Sequence, residues 1–258
     1  VTPDDALEVI PRLPTLYDEP FADSSQIPTF LVSQLARQQV TVALSGDGGD
    51  ELFFGYTRYL QMEKLVATLN KMPAGLRQLG AAGLQRMSPA SFGRVYRALM
   101  PMLPAVLRAK YPEDKLNRLQ HILAAKGDEA VYLALISHWA DPACVVKGAS
   151  EPATWLTGRK PVPAELSLAE KCMLLDSMSY LPDDILAKVD RAAMGVSLET
   201  RVPLLDHRVI ELAWRLPMRD KLRGDQGKWL LRQVLYQYVP KAMIDRPKMG
   251  FGVPVGEW

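Results

Sequence analysis

Cysteine is scarce: Cys144 and Cys172 are the two in 258 residues, and neither sits in a CxxC pair. That excludes a disulfide-stapled scaffold and points to two buried thiols in a reducing compartment. Histidine is as sparse, and His121, His138 and His207 lack the spacing of zinc ligands. No charge of one sign dominates. The 31 Lys and Arg oppose 29 Asp and Glu, a net charge of +2, with no basic run. This argues against a dedicated binder of nucleic acid or of membrane surfaces. Long apolar runs are missing too: the richest, Val131 to Val146, is broken by His138 and Asp141 and is too short and polar to span a bilayer. The opening Val-Thr-Pro-Asp-Asp is not a signal peptide, so a cytoplasmic location is expected. No internal repeat is found.

What is present is an ordinary globular composition, 48% hydrophobic and 23% charged, in a length that suits one large domain or two small ones. Thr2-Pro3-Asp4-Asp5 reads as a helix start, with a capping hydroxyl, proline in the first turn and acids at the positive end of the dipole. Ser25 is positioned to cap a second helix running through Gln38. Val40–Leu44 is short, β-branched and apolar, and is read as a buried strand of a parallel sheet. From Asp50 onward the pattern is helical, punctuated by Pro73, Pro89, Pro101, Pro104 and Pro112. Ser167-Leu-Ala-Glu170 is a capping-box pattern, and Asp206 can cap a helix carrying Val209, Ile210, Leu212 and Ala213. Residues 147–164 read as a long surface loop. The expectation is a mostly helical chain with few strands. One strand alone cannot satisfy its backbone groups, so its partners are expected in sequence beyond this chain. The first residue is not Met and the end, Gly-Glu-Trp258, closes no helix, which fits a fragment.

The most informative stretch is Leu44-Ser45-Gly46-Asp47-Gly48-Gly49-Asp50-Glu51-Leu52-Phe53-Phe54-Gly55-Tyr56. A strand ends, glycines crowd together and a helix begins. In open α/β sheets ligands bind beyond the carboxyl ends of strands, where glycines let backbone N–H groups approach a phosphate. Asp47, Asp50 and Glu51 would repel that phosphate unless a cation lay between, and magnesium suits carboxylates combined with phosphate oxygens. The alternative is a tight acidic turn that only caps a helix.

The same spelling closely resembles a signature loop of the asparagine synthetase family. Tyr17-Asp-Glu-Pro-Phe-Ala-Asp-Ser-Ser25 with Ile27-Pro-Thr29, Tyr180-Leu-Pro-Asp-Asp-Ile-Leu-Ala-Lys-Val-Asp-Arg191, Ser197-Leu-Glu-Thr-Arg-Val-Pro-Leu-Leu-Asp206 and Arg246-Pro-Lys-Met-Gly-Phe251 resemble further segments of that family in the same order. The resemblance implies the C-terminal synthetase domain, with an α/β ATP-pyrophosphatase fold of doubly wound sheet and added helices, here mostly helical because only part of the sheet is covered. Residues 1–60 would be the end of the nucleotide-binding core, and 61–258 a mainly helical part ending in a catalytic loop. The implied chemistry is adenylation of the aspartate side chain with release of pyrophosphate, followed by attack of ammonia to give asparagine and AMP. ATP and Mg2+ are the implied cofactors. Aspartate, ammonia from an N-terminal glutaminase domain missing here, and a second copy in a full-length homodimer are the implied partners.

Carried over by position, Ser45, Gly46, Gly48 and Gly49 would contact the phosphates or the acyl-adenylate, and Asp50 would bind magnesium. Asp47 stands where relatives use an acid, often glutamate, to deprotonate the incoming amine; lactam-forming relatives have tyrosine there. Lys248 would neutralise charge as pyrophosphate leaves. Asp183 or Asp184 would reach the nucleotide from the next motif, although Asp184 and Lys188, four apart, can equally pair on one helix face. The family's first phosphate loop, Ser-Gly-Gly-x-Asp-Ser, is absent, so this chain alone is expected to be inactive. Glu199 and Arg201 read as an ion pair in a loop before Pro203. Met87, Met100, Met102, Met173, Met178 and Met194 read as core filler. Two other readings stay open: an amidotransferase acting on another carboxylate in surface-polysaccharide synthesis, and a non-catalytic interaction module.

Overall fold

A computed structural model describes residues 2–102, 114–137, 145–150, 152–158, 162–245 and 253. Thr2 Oγ1 accepts the Asp5 N–H at 3.2 Å while Asp5 accepts the Thr2 N–H at 2.6 Å, the reciprocal box that fixes the start of α1 (Pro3–Val9). Helix α2 (Leu13–Tyr17) follows after a 3-10 turn. Helix α3 (Gln26–Arg37) buries Gln26, Ile27, Phe30 and Ser33, the stripe one helical face presents. Ser25 stands before it, but its hydroxyl does not cap the helix. That hydroxyl donates to Asp23 at 2.8 Å, and the Ser25 N–H donates to the other Asp23 oxygen at 2.9 Å. The backbone of Ser25 is itself helical, φ −68° and ψ −8°, not the extended geometry from which a cap oxygen reaches the first free N–H groups.

Strand β1 (Val42–Leu44) corrects two expectations. Its partner lies within the chain: β2 (Glu199–Arg201) pairs with it in parallel, Val42 opposite Glu199 and Leu44 opposite Arg201. Glu199 and Arg201 do form an ion pair, but on a strand and not in a loop. The apolar signal that marks β1 is absent from β2. Backbone bonds hold it instead, from Glu199 N–H to Thr41 C=O at 3.0 Å and from Ser45 N–H to Arg201 C=O at 2.8 Å. Nor is β1 buried, since Val42 is 45% and Leu44 76% exposed. A two-stranded ribbon has too little surface to cover its own faces. Among the described residues these are the only strands, so the mostly helical expectation holds.

The remaining elements are helical: α4 (Gly49–Leu52), α5 (Thr57–Asn70), α6 (Ala74–Gln85), α7 (Pro89–Leu99), α8 (Asp114–Ala124), α9 (Asp128–Ile136), α10 (Leu168–Met178), a π-helical turn at Leu181–Leu186, α11 (Ala187–Met194), α12 (His207–Arg215), α13 (Met218–Lys221), α14 (Trp229–Leu235) and α15 (Lys241–Ile244). The chain divides into two units, Val1–Thr57 with Met173–Trp258, and Arg58–Cys172. In the first, α11 packs on α3 around Ala6, Val9, Ile27, Phe30 and Ala192. A second cluster seats α12 on α4 through Leu52, Phe53 and Ala213, with Val209, Ile210 and Leu231 against it. Asp206 caps α12 by accepting the Arg208 N–H at 2.9 Å, as its position predicts.

The second unit is helical. Helix α5 buries Tyr59, Met62, Val66 and Leu69, again one face. Helix α8 packs on α6 and α9, and the Gln120 amide donates to Leu84 C=O at 2.7 Å. The described part of 147–164 contains turns, as expected of a loop. Ser167 and Glu170 make the anticipated box at the start of α10. Of the methionines read as filler, Met173 is fully buried, while Met178 and Met194 are exposed. Cys172 is buried, and Cys144 lies outside the described residues. No helix among the described residues is long and apolar enough to cross a membrane.

Candidate active site

Ser45 marks the carboxyl end of β1, where its bond to Arg201 C=O is the last of the ladder. The chain then turns through Gly46–Gly49 into α4. The turn requires a left-handed residue, and Gly48 supplies it with φ of 80°, a conformation that costs glycine nothing sterically. Leu204 and Leu205, just beyond β2, lie beneath Gly48 and Gly49. Two motifs far apart in sequence are therefore packed into one loop platform. Gly46 faces the other way: a Cβ placed there would have nothing within 4 Å. The Ser45 hydroxyl donates to the Asp47 carboxylate, and the Asp47 N–H donates to Ser45 Oγ at 3.3 Å. A half-buried hydroxyl and carboxylate thus flank an exposed glycine on the rim of the loop.

The three loop acids separate in space. Glu51 is 1% exposed and accepts the Tyr56 hydroxyl at 2.8 Å. Burial raises its affinity for a proton, the Tyr56 bond partly offsetting this, and burial with the Glu51 charge raises the Tyr56 phenol. Glu51 is therefore a core carboxyl, and Asp47 and Asp50 are the acids left to meet a ligand. Asp50 Oδ2 lies 2.8 Å from Lys228 Nζ, with both side chains about one-third exposed (30% and 28%).

Lys228 escaped the sequence reading. Its signal is the pair Gly224 and Gly227 just before a lysine that leads into α14. Its N–H donates to Phe53 C=O at 2.9 Å, and its own φ is 54°. A Cβ on Gly227 would fall 1.9 Å from Phe54 O, and one on Gly55 would fall 1.9 Å from Asp50 Oδ1. At Gly227 the obstacle is main chain, so glycine there is what lets the two turns close on each other, whereas at Gly55 it is the ends of the Asp50 and Lys228 side chains.

The donors fit a magnesium–polyphosphate group. Among the described residues no set of three or more His, Cys, Asp or Glu converges to hold a metal unaided. Magnesium is ordinarily held by one or two carboxylates with phosphate oxygens and water completing its shell, and Asp47 and Asp50 are carboxylates of the required kind, Asp47 next to the open Gly46 in the loop and Asp50 in the first turn of α4.

Asp184 belongs to a second cluster in the same unit. Lys188 Nζ lies 2.5 Å from Asp23 Oδ2 and 3.6 Å from Asp184 Oδ1. The Tyr17 hydroxyl donates to Lys188 C=O at 3.2 Å. Asp184 Oδ1 is buried and has no hydrogen-bond partner. Burial first, and the Asp23 charge second, push the Asp184 carboxyl up to about 6, with Lys188 opposing. Burial acts on Asp23 in the same sense, but the bonds from Lys188 and Ser25 outweigh it and hold Asp23 below the usual carboxylate range. A carboxyl raised on folding loses stability as pH climbs from its unfolded value near 4 through about 6. Asp184→Asn lacks that loss. Between pH 4 and 7 the stability difference between variant and parent is expected to move in the variant's favour by on the order of 2 kcal/mol. Denaturant titrations at four pH values would measure this, and a constant difference would refute it.

Lys248 and its motif, Arg246–Phe251, lie outside the described residues. Asp245, immediately before them, is held by Arg232 and by the Tyr236 hydroxyl, each at 2.7 Å. Arg232 Nε also donates to Gly227 C=O at 3.3 Å. The residue that leads into that motif is thus tied to the turn that carries Lys228.

The family model described as asparagine synthase matches residues 1–258. Asparagine synthetase [glutamine-hydrolyzing] 1 of Bacillus subtilis is 30% identical over 260 residues, covering 100% of this chain and 38% of the relative. A putative asparagine synthetase [glutamine-hydrolyzing] of Mycobacterium tuberculosis H37Rv is 33% identical over 262 residues, covering 100% and 36%. A putative asparagine synthetase [glutamine-hydrolyzing] 2 of Methanocaldococcus jannaschii is 29% identical over 191 residues, covering 72% and 32%. The chain thus spans well under half the length of these relatives. No solved structure is significantly matched.

Proposed function

The chain belongs to the asparagine synthase family, and we propose that it forms the glycine-loop half of an ATP-dependent amide-forming site. The reaction is adenylation of the aspartate side-chain carboxylate with pyrophosphate leaving, then attack by glutamine-derived ammonia to give asparagine and AMP. The names of the relatives, glutamine-hydrolysing asparagine synthetases, support this reading. The observation that carries it is the loop itself: Ser45, open Gly46 and Asp47 at the end of a parallel strand, with Asp50 paired to a cation on the next turn.

Each residue has a task that its position permits. The Ser45 hydroxyl and the Gly46 N–H meet phosphate oxygens, since nothing but a hydrogen projects from Gly46, while Gly48 and Gly49, packed on Leu205 and Leu204, hold the turn that presents them. Asp50 supplies the carboxylate for magnesium, which, when bound with the nucleotide, neutralises phosphate charge. Asp47 takes a proton from the incoming amine, its carboxylate held in place by Ser45 until then. Asp184, the acid of raised proton affinity, contacts the nucleotide from its own cluster. Lys248 opposes the negative charge of departing pyrophosphate.

The test is Asp50→Asn in the natural protein that contains this chain. A neutral amide is a poorer ligand for a hard cation, so pyrophosphate release at limiting magnesium should fall by roughly tenfold or more and recover in part at high magnesium. A rate unchanged at limiting magnesium would make Asp50 a structural acid. Asparagine formation measured beside a panel of other carboxylates would show whether aspartate is the acceptor.

A further inference from the structure

We propose that α6 and α7 form a peripheral docking surface for a lipid bilayer with anionic headgroups. The inference is independent of the loop chemistry and starts from charge. Residues 64–112 hold eight Lys and Arg and no Asp or Glu. Those eight exceed the +2 of the entire chain, so the remainder is net acidic. The cations stand apart at helical spacings, which is why no basic run marks them in the sequence. Lys71, Arg86 and Arg94 are exposed, and among the described residues no carboxylate pairs with them. Cations of one sign left unpaired on a surface attract an anionic partner.

The apolar residues between them narrow the choice of partner. Helix α6 packs one side on α8: Ala81 is buried, the Arg77 guanidinium donates to Ala125 C=O at 3.3 Å, and Leu84 C=O accepts the Gln120 amide at 2.7 Å. Leu76, Leu79, Gly83 and Arg86, spaced by three, four and three, share the outer face. Leu76 is 55% and Leu79 73% exposed, and Val95 beside Arg94 on α7 is 51% exposed. A single exposed leucine needs no explanation, but two on one face, bordered by arginine and followed by a second helix of the same mixture, mark an interaction surface. Gly75 and Gly83 have nothing within 4 Å of where a Cβ would stand, so the outer face is flat. A flat face of leucine and arginine suits the boundary of headgroups and acyl chains, which takes apolar side chains and supplies phosphate oxygens to guanidinium groups at the same depth. A nucleic-acid backbone offers phosphates without an apolar layer for Leu76 and Leu79.

The experiment uses the natural protein containing this chain and vesicles of phosphatidylcholine, alone or with about 30% phosphatidylglycerol, read by co-sedimentation. The expected result is binding to the anionic vesicles, little to the neutral ones, and loss of most of it near 1 M salt, where charges are screened beyond ~3 Å. Lys71→Gln, Arg86→Gln and Arg94→Gln together should weaken binding roughly 100-fold, about fivefold for each cation removed. Leu76→Ser with Leu79→Ser should weaken it about tenfold, through lost apolar contact. Arg208→Gln, Arg215→Gln and Arg219→Gln together remove the same charge from α12 and α13 and should leave binding within about threefold of the parent. Circular dichroism and melting curves check the fold, and if the first triple variant does not fold, Arg94→Gln alone, roughly fivefold weaker, decides. A parent that ignores anionic vesicles overturns the inference, as does a folded first triple variant within about twofold of the parent. Retention on duplex DNA without vesicle binding also overturns it and assigns the cations to a phosphodiester backbone.

Discussion

Replacing Lys248 with Met in the natural protein is expected to lower pyrophosphate release by roughly 100- to 1,000-fold, the effect of removing one preorganised donor from a charge-developing centre. The loss should fall on kcat more than on KM for ATP, because the charge of departing pyrophosphate grows only as the bond breaks. The lysine follows proline at 247 and precedes glycines at 250 and 252 in sequence. The residue leading into this segment is anchored: Asp245 is gripped by Arg232 and Tyr236, and Arg232 reaches back to Gly227. Lys248→Arg should restore only part of the rate, since a planar fork is not a compact point charge. Glutamine hydrolysis measured separately should persist. AMP formation by Lys248→Met within about threefold of the parent would remove this loop from the chemistry.

Substituting Gly227 with Ala should cost the fold about 3 kcal/mol, at the upper end of what overpacking usually costs. The added methyl would lie 1.9 Å from the Phe54 carbonyl oxygen and 3.1 Å from its carbon. Both are main-chain atoms, so no rotamer change relieves the clash. One turn must back away, taking with it the Lys228 N–H bond to Phe53 C=O and the Lys228 contact with Asp50. Gly46→Ala is the matched control, since a methyl there meets nothing within 4 Å. Its stability should stay within about 0.5 kcal/mol of the parent, as at other unstrained surface sites. Its affinity for pyrophosphate should nevertheless fall, because the methyl occupies the space a phosphate oxygen would approach. Denaturant unfolding of both variants separates the cases. Equal stabilities for Gly227→Ala and parent would mean the two turns are not packed as described.

By itself the sequence determined the features that depend on short spans. Thr2 and Asp5, Ser167 and Glu170, and Asp206 with Arg208 are helix starts set by residues within one turn of each other, and each forms as those residues dictate. The glycine loop was legible for the same reason: strand, glycines, acids and helix start lie in unbroken order. Family membership was legible because its motifs are contiguous strings. What needed distant partners was not legible. Glu199-Thr-Arg201 carries no apolar pattern and becomes a strand only because β1 offers it a ladder. Ser25 takes helical backbone in place of a cap's extended one, and its hydroxyl donates to an Asp23 that Lys188 holds in place. Glu51 and Asp50 are adjacent, yet helical geometry sends one into the core with Tyr56 and the other out to Lys228. That lysine reaches Asp50 because Gly227, lacking a side chain, lets two separate turns touch. Local hydrogen bonding and steric preference are written in neighbouring residues, whereas burial and the pairing of charges follow from which segments pack together, and only the tertiary structure decides that.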